Sequence, residues 1–261
     1  MKWGCCGDLE RLQAIEDAGY DYIESPVRVL CVDEDRAAAE PYLNAIQASR
    51  FDAEAFNVFL PGTLPIVGPD VDDAAINTHL DTIVDRLTGL STEIMVLGSG
   101  GARKIPNGWA SQTALEQFQT FCKKAADTLG AAGITIVIEP LYQEACNFIL
   151  TVGEAHEIAS AVDHPRLSHL ADLFHMQMND DPLTEIGRHI DGLDHVHLPA
   201  PNIPGLIENE PEFDLRGYLA ALKSAGYDKR ISVEDNGKSF QNFEREAGPV
   251  LDHLKDIWAT V

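Results

Sequence analysis

The sequence predicts an α/β chain folded as one (β/α)8 TIM barrel spanning residues 1–261, and three observations carry that prediction. Short apolar runs of strand character recur about every 30 residues, eight in all. Stretches with the 3.6-residue period of amphipathic helices separate them, so strand and helix alternate throughout. Three of the helical stretches end in Ala-Gly (Ala18-Gly19, Ala132-Gly133 and Ala225-Gly226), with the glycine placed where a helix C-terminus needs left-handed backbone before the next strand begins.

Taken in order, Lys2–Cys6 reads as the first strand and Leu9–Ala18 as the helix after it. Tyr20–Glu24 and Ala53–Phe59 are the next strands, with the periodic segment Arg36–Ser49 between them and Asp72–Leu90 following. Glu93–Gly98 and Ile134–Glu139 flank the helix Thr113–Ala132. Leu167–Asp172, Leu193–Leu198 and Arg230–Glu234 complete the strands, interleaved with Gly153–Val162, Pro182–Ile190 and Leu215–Ala225, and Phe243–Trp258 closes the pattern. No glycine-rich phosphate turn follows Lys2–Cys6, which argues against a doubly wound sheet. Two Pro- and Gly-rich stretches, Pro61–Asp70 and Pro199–Pro211, each follow a strand and are expected as long loops on the barrel mouth.

Composition narrows the function classes. The 261 residues are 45% hydrophobic and 23% charged, and no apolar run approaches the roughly 20 residues of a membrane span. The first ten residues, MKWGCCGDLE, lack the apolar stretch of a secretory signal. The cysteines, Cys5, Cys6, Cys31, Cys122 and Cys146, are odd in number and without a zinc spacing, which fits reduced thiols in a cytoplasm. A net charge of −23 would repel phosphate backbones and anionic lipid, so neither nucleic acid nor membrane is an expected partner.

Each of the last four strands carries a metal-competent side chain at or near its C-terminal end: Glu139 in ITIVIEP, Asp172 in LSHLAD, His197 in DHVHLP and Glu234 in RISVED. Successive parallel strands of a barrel bring such ends to one rim. Strand alternation gives the inward sets Thr135, Val137, Glu139; Leu170, Asp172; Leu193, His195, His197; and Ser232, Glu234. His197 lies nearer the rim and is the expected ligand, with His195 a deeper, hydrogen-bonded neighbour. A lone carboxylate at a strand end is usually a helix cap or a surface group, but four matching positions on successive strands are hard to obtain that way. Three carboxylates together repel one another unless a cation joins them. With one imidazole and no thiolate, the set suits Mn²⁺, Mg²⁺ or Co²⁺ at least as well as Zn²⁺.

At these residues the chain resembles the sugar isomerase and epimerase superfamily with a xylose-isomerase-like barrel, which includes ketose 3-epimerases, hydroxypyruvate isomerase and inosose dehydratase. The resemblance runs from about Ala55 to the C-terminal helix, carried by FNVFLPG (Phe56–Gly62), VLGSGGARKIP (Val96–Pro106), IEPL with NFILT (Ile138–Leu141, Asn147–Thr151), DLFHM (Asp172–Met176), HVHL (His195–Leu198) and GYDKRISVE (Gly226–Glu234). It implies one divalent metal held by Glu139, Asp172, His197 and Glu234, with the two glutamates also serving as an acid/base pair across a small keto-sugar or sugar phosphate. It further implies substrate contacts from His175 and from Asn57 in FNVFLPG, and a homo-oligomer. Two departures stand out: Ile203 replaces an arginine common six residues after the metal-binding histidine, in a stretch Pro199–Asp214 without Lys or Arg, and Ala145 replaces a glutamate two residues before Asn147.

The expected reaction is isomerisation or epimerisation through an enediolate, by proton abstraction beside a polarised carbonyl. A metal-dependent dehydratase of a polyol or inosose would use the same groups, and a non-catalytic sugar-binding protein would use the ligands alone. A barrel-type DNA-repair endonuclease would need more histidines and a basic groove, which this acidic chain does not offer. Arg103, Lys104 and Lys238 are the basic residues expected on mouth loops, for an anionic substrate or for ordinary ion pairs. Phe56, Phe59, Trp109 and Phe174 are candidates for an apolar wall, and Cys5 and Cys6 are expected to fill the barrel.

Overall fold

The computed structural model describes residues 1–207, 213–235 and 240–261. Its strands are β1 (Lys2–Cys6), β2 (Tyr22–Pro26), β3 (Ala55–Asn57), β4 (Ile94–Leu97), β5 (Thr135–Ile138), β6 (Leu167–Asp172), β7 (Leu193–Pro199) and β8 (Arg230–Glu234). They pair in chain order, all parallel, and β8 pairs with β1 to close the barrel. The helices pack around this cylinder, and a continuous apolar core fills the layer between them and the outward faces of the strands. Among the described residues no helix is long and apolar enough to cross a membrane.

Gly19, Gly133 and Gly226 all take positive φ (87°, 89° and 80°), so the Ala-Gly pairs do mark the turns into the next strand. Two strand boundaries move. β2 starts at Tyr22 rather than Tyr20 because Asp21 turns the chain, its carboxylate accepting from the Trp3 amide at 2.7 Å, and it runs on to Pro26 in register with Asn57. β3 is only Ala55–Asn57, since Val58 turns out of the sheet with φ +48°. Short helices also form at Gly100–Arg103 and Leu173–Met178, where the sequence pattern assigned neither strand nor helix.

The barrel interior holds an apolar layer of Tyr22, Ala55, Ile94, Val96, Val137 and Leu170. Tyr22 spans it: a Cβ on Gly4 would sit 2.2 Å from the Tyr22 ring, so only glycine lets the ring lie against β1 and its hydroxyl reach Ser232 Oγ at 2.8 Å. Alternation places Val137 and Leu170 inward as expected, but Leu193 packs in the outer core instead. The cause is a register irregularity between β6 and β7, where His169 pairs with Leu193 but Leu170 pairs with His195. One β7 residue is passed over there, and this turns His195 and His197 inward.

Candidate metal centre at the barrel mouth

Glu139 follows the last residue of β5, Asp172 and Glu234 end β6 and β8, and His197 lies within β7. One donor atom from each lies within 4.8 Å of all the others. His197 Nδ1 is the focus, 3.1 Å from Glu234 Oε2, 3.3 Å from Glu139 Oε1 and 3.9 Å from Asp172 Oδ2. His197 is fully buried, Asp172 and Glu139 nearly so, and Glu234 is a third exposed, so the cluster opens to solvent on the β8 side.

Local backbone chemistry explains the aim of each group. Asp172 is both a helix cap and a site residue: Oδ1 accepts from the His175 amide at 2.8 Å while Oδ2 faces His197. The helix it caps, Leu173–Met178, carries His175 back over the site, with Nε2 3.9 Å from Glu139 Oε1 and its ring stacked on Tyr142 at 5.4 Å and 14°. Glu139 lies against Gly98, where a Cβ would stand 2.1 Å from Oε2. A glycine must therefore follow β4 for the carboxylate to occupy its position.

Four carboxylates surround one imidazole, because Glu24 on β2 approaches from beneath, its Oε1 2.8 Å from His197 Nε2. Burial alone would lower the His197 pKa, but Glu24 and Glu234 outweigh it and hold the ring well above the usual range. Burial would likewise raise Glu24 and Glu139; the charge of His197 and His195 draws Glu24 well below its ordinary value, and His197 does the same more mildly to Glu139. For Asp172 burial prevails, opposed by His175 and reinforced by Glu234 and Glu139, and pushes the group up to about 6. Three oxygen donors and a nitrogen aimed at one point could hold a divalent cation, whose charge would also resolve the crowding of the acids.

A family model for the xylose isomerase-like TIM barrel matches residues 12–257. The chain belongs to that family. Among curated proteins it is similar to 2-oxo-tetronate isomerase from Pectobacterium atrosepticum, 30% identical over 147 residues, which are 54% of each chain. The chain thus matches about half the length of that relative. Among solved structures it is similar to a D-allulose 3-epimerase from Methylomonas sp. (TM-score 0.82, 19% identity, 98% of both chains) and to the IolI protein with a bound zinc atom (TM-score 0.72, 17% identity, 100% of this chain and 99% of that one). At these identities the structural likenesses establish the shared barrel.

The other sequence-predicted residues of this xylose isomerase-like barrel divide. His175 stands over Glu139, and Asn57 lines the mouth cavity of about 350 Å³ beside Glu234, its amide 3.4 Å from Cys6 Sγ. Arg103 is a correction. It is fully buried, and its guanidinium donates to the carbonyls of Glu139 at 2.6 Å and Leu97 at 3.5 Å, so it ties the ends of β4 and β5 together instead of facing a ligand. Lys104 is exposed, and Lys238 lies outside the described residues. The arginines that line the mouth cavity are Arg11 and Arg28, both ion-paired, to Asp235 and Asp8.

Of the proposed apolar wall only Phe174 remains, in an aromatic arc with Tyr142 and Phe213 beside His175. Phe56 and Phe59 are wholly buried in the outer core, and Trp109 is half-buried against that core, its ring N–H donating to Gln117 Oε1 at 3.2 Å. Asn147 is spent on the backbone of Ile105, accepting from its amide at 2.9 Å and donating to its carbonyl at 3.0 Å. Sequence reasoning missed Glu24 and Tyr142. Glu24 ends its apolar run as Glu139, Asp172 and Glu234 end theirs, but β2 lies across the barrel from β6, outside the block of consecutive strands that drew attention.

Proposed function

We propose that the chain is a divalent-metal-dependent isomerase or epimerase acting on a small keto-sugar. The observation that supports this best is the convergence of Glu139, Asp172 and Glu234 on His197 Nδ1 at an open barrel mouth. These four residues would hold the ion, which supplies polarisation of the substrate carbonyl and its neighbouring hydroxyl. Glu139 and Glu234 approach the site from β5 and β8, so one carboxylate removes the proton beside the carbonyl and the other returns a proton to the enediolate. His175, stacked on Tyr142 and within reach of Glu139, is placed to hold a substrate hydroxyl. The aromatic arc of Phe174 and Tyr142 is suited to the apolar edge of a sugar and to limiting access of water.

The similarity to 2-oxo-tetronate isomerase favours isomerisation of a short 2-oxo sugar or sugar acid over epimerisation of a longer ketose. Phosphorylated substrates fit less well, since the residues around Ile203 bring no cation and Arg103 is engaged elsewhere.

The test is turnover in deuterated water on a panel of short ketoses and 2-oxo sugar acids with Mn²⁺ present. Exchange of solvent deuterium into the substrate carbon is expected, and Glu139→Gln or Glu234→Gln should abolish it. Undiminished exchange in both variants removes the glutamates from this role. Loss of water from the product, read as a change in mass, would reassign the protein as a dehydratase, and binding without turnover would leave it a sugar-binding protein.

A further inference from the structure

Beneath the mouth cluster lies a buried polar network that the reaction itself does not use. Glu24 is completely buried inside the barrel, between β1 and β3. Its Oε1 is 2.8 Å from His197 Nε2; its Oε2 is 2.7 Å from His195 Nε2 and accepts from Ser232 Oγ at 2.6 Å. The Tyr22 hydroxyl lies 2.8 Å from Ser232 Oγ, and since the serine proton goes to Glu24, the tyrosine donates. A carboxylate offers lone pairs and no proton, so both imidazoles must carry hydrogen on Nε2. For His197 this leaves Nδ1 as the atom that faces Glu139, Asp172 and Glu234.

We propose that Glu24 is the positioning carboxylate of the metal centre: by accepting from His197 Nε2 it fixes the tautomer that presents Nδ1 to the ion, and its charge strengthens that nitrogen as a ligand. The inference rests on the metal-dependent reading of the mouth and adds a residue that touches neither ion nor substrate. An imidazole ligand whose far nitrogen is held by a carboxylate is oriented and more basic, and loss of such a partner typically weakens metal binding about 10–100-fold. Free rotation of His197 is barred as well, since its ring packs edge-on against His195 at 5.0 Å and 79°, and His195 is anchored by the same carboxylate. Ser232 donates to Glu24 and receives the Tyr22 hydroxyl; it sits opposite His197 in the sheet, but its hydroxyl bonds the carboxylate and not that imidazole, and so it provides an internal control.

The experiment is calorimetric titration of the full chain with Mn²⁺, in the native form and as Glu24→Gln and Ser232→Ala, with thermal unfolding recorded for each. Glu24→Gln keeps the shape and removes the charge; a loss of affinity of about 10–100-fold is expected, with Ser232→Ala within about threefold of native. Nitrogen-15 NMR of the native, Zn²⁺-loaded protein gives a second readout that does not depend on any variant folding, and it should show the His197 proton on Nε2. Native affinity in Glu24→Gln, or a proton on Nδ1 of His197, overturns the assignment of Glu24 while leaving the metal-dependent reading in place. Absence of Mn²⁺ binding by the native chain overturns both.

Discussion

Gly98→Ala is the mildest change that should disable the site. Gly98 follows β4 with an ordinary backbone φ, so alanine brings no conformational strain. Its Cβ, however, would stand 2.1 Å from Glu139 Oε2, with Glu139 Cδ at 3.3 Å and Leu141 Cδ2 at 3.8 Å as the next neighbours. The oxygen must retreat by about 1 Å to reach tolerable contact, and the Arg103 bond to the Glu139 carbonyl keeps the backbone from following. A displacement of that size at a reacting group costs about 100-fold in rate. The assay is solvent-deuterium exchange on the best substrate of the ketose panel, with Mn²⁺ affinity measured in parallel. Turnover about 100-fold lower with a melting temperature close to native is expected; native turnover together with native Mn²⁺ affinity would refute the assignment of Glu139.

Two further outcomes follow from groups away from the chemistry. Arg103→Met removes a buried guanidinium that serves two strand-end carbonyls, and should destabilise the fold by about 1–3 kcal/mol in urea unfolding; unchanged stability with a raised KM would restore Arg103 to the substrate. His169, buried on the outer face of β6 beside His156, has its pKa lowered to about 3, by burial first and then by His156 and His189. Its neutral form is the one that folds, so its contribution is complete above the unfolded value near 6.5 and is lost as pH falls toward 3. Stability should drop by about 1.4 kcal/mol per pH unit over that window, and His169→Leu should flatten the slope in acid unfolding; an unaltered slope would discard this source.

The barrel was legible because its periodicities are strong: six of the eight strands read from sequence agree with the structure at both ends or differ by one residue, and each Ala-Gly turn lies where expected. The shortest strand, β3, was overdrawn, since the hydrophobicity of Val58 and Phe59 masks the positive φ at which the chain leaves the sheet. The four mouth residues were readable as strand-end polar groups on consecutive strands. What sequence did not show was set by contacts between distant strands. Glu24 reaches His197 across 173 positions, Leu193 faces outward through a register irregularity, and Arg103 turns inward to backbone carbonyls that no local pattern advertises. Asp172 shows that the two readings of a strand-end carboxylate need not compete, as one oxygen caps a helix and the other faces the site.

The central claim is that Glu139, Asp172, His197 and Glu234 close around one divalent ion. Anomalous diffraction from crystals of the full chain soaked in Zn²⁺ tests it most directly. One ion per chain is expected, about 2.0–2.2 Å from His197 Nδ1 and from an oxygen of each of the three acids. Absence of anomalous density among these side chains, or an ion bound through His197 Nε2, would contradict the account.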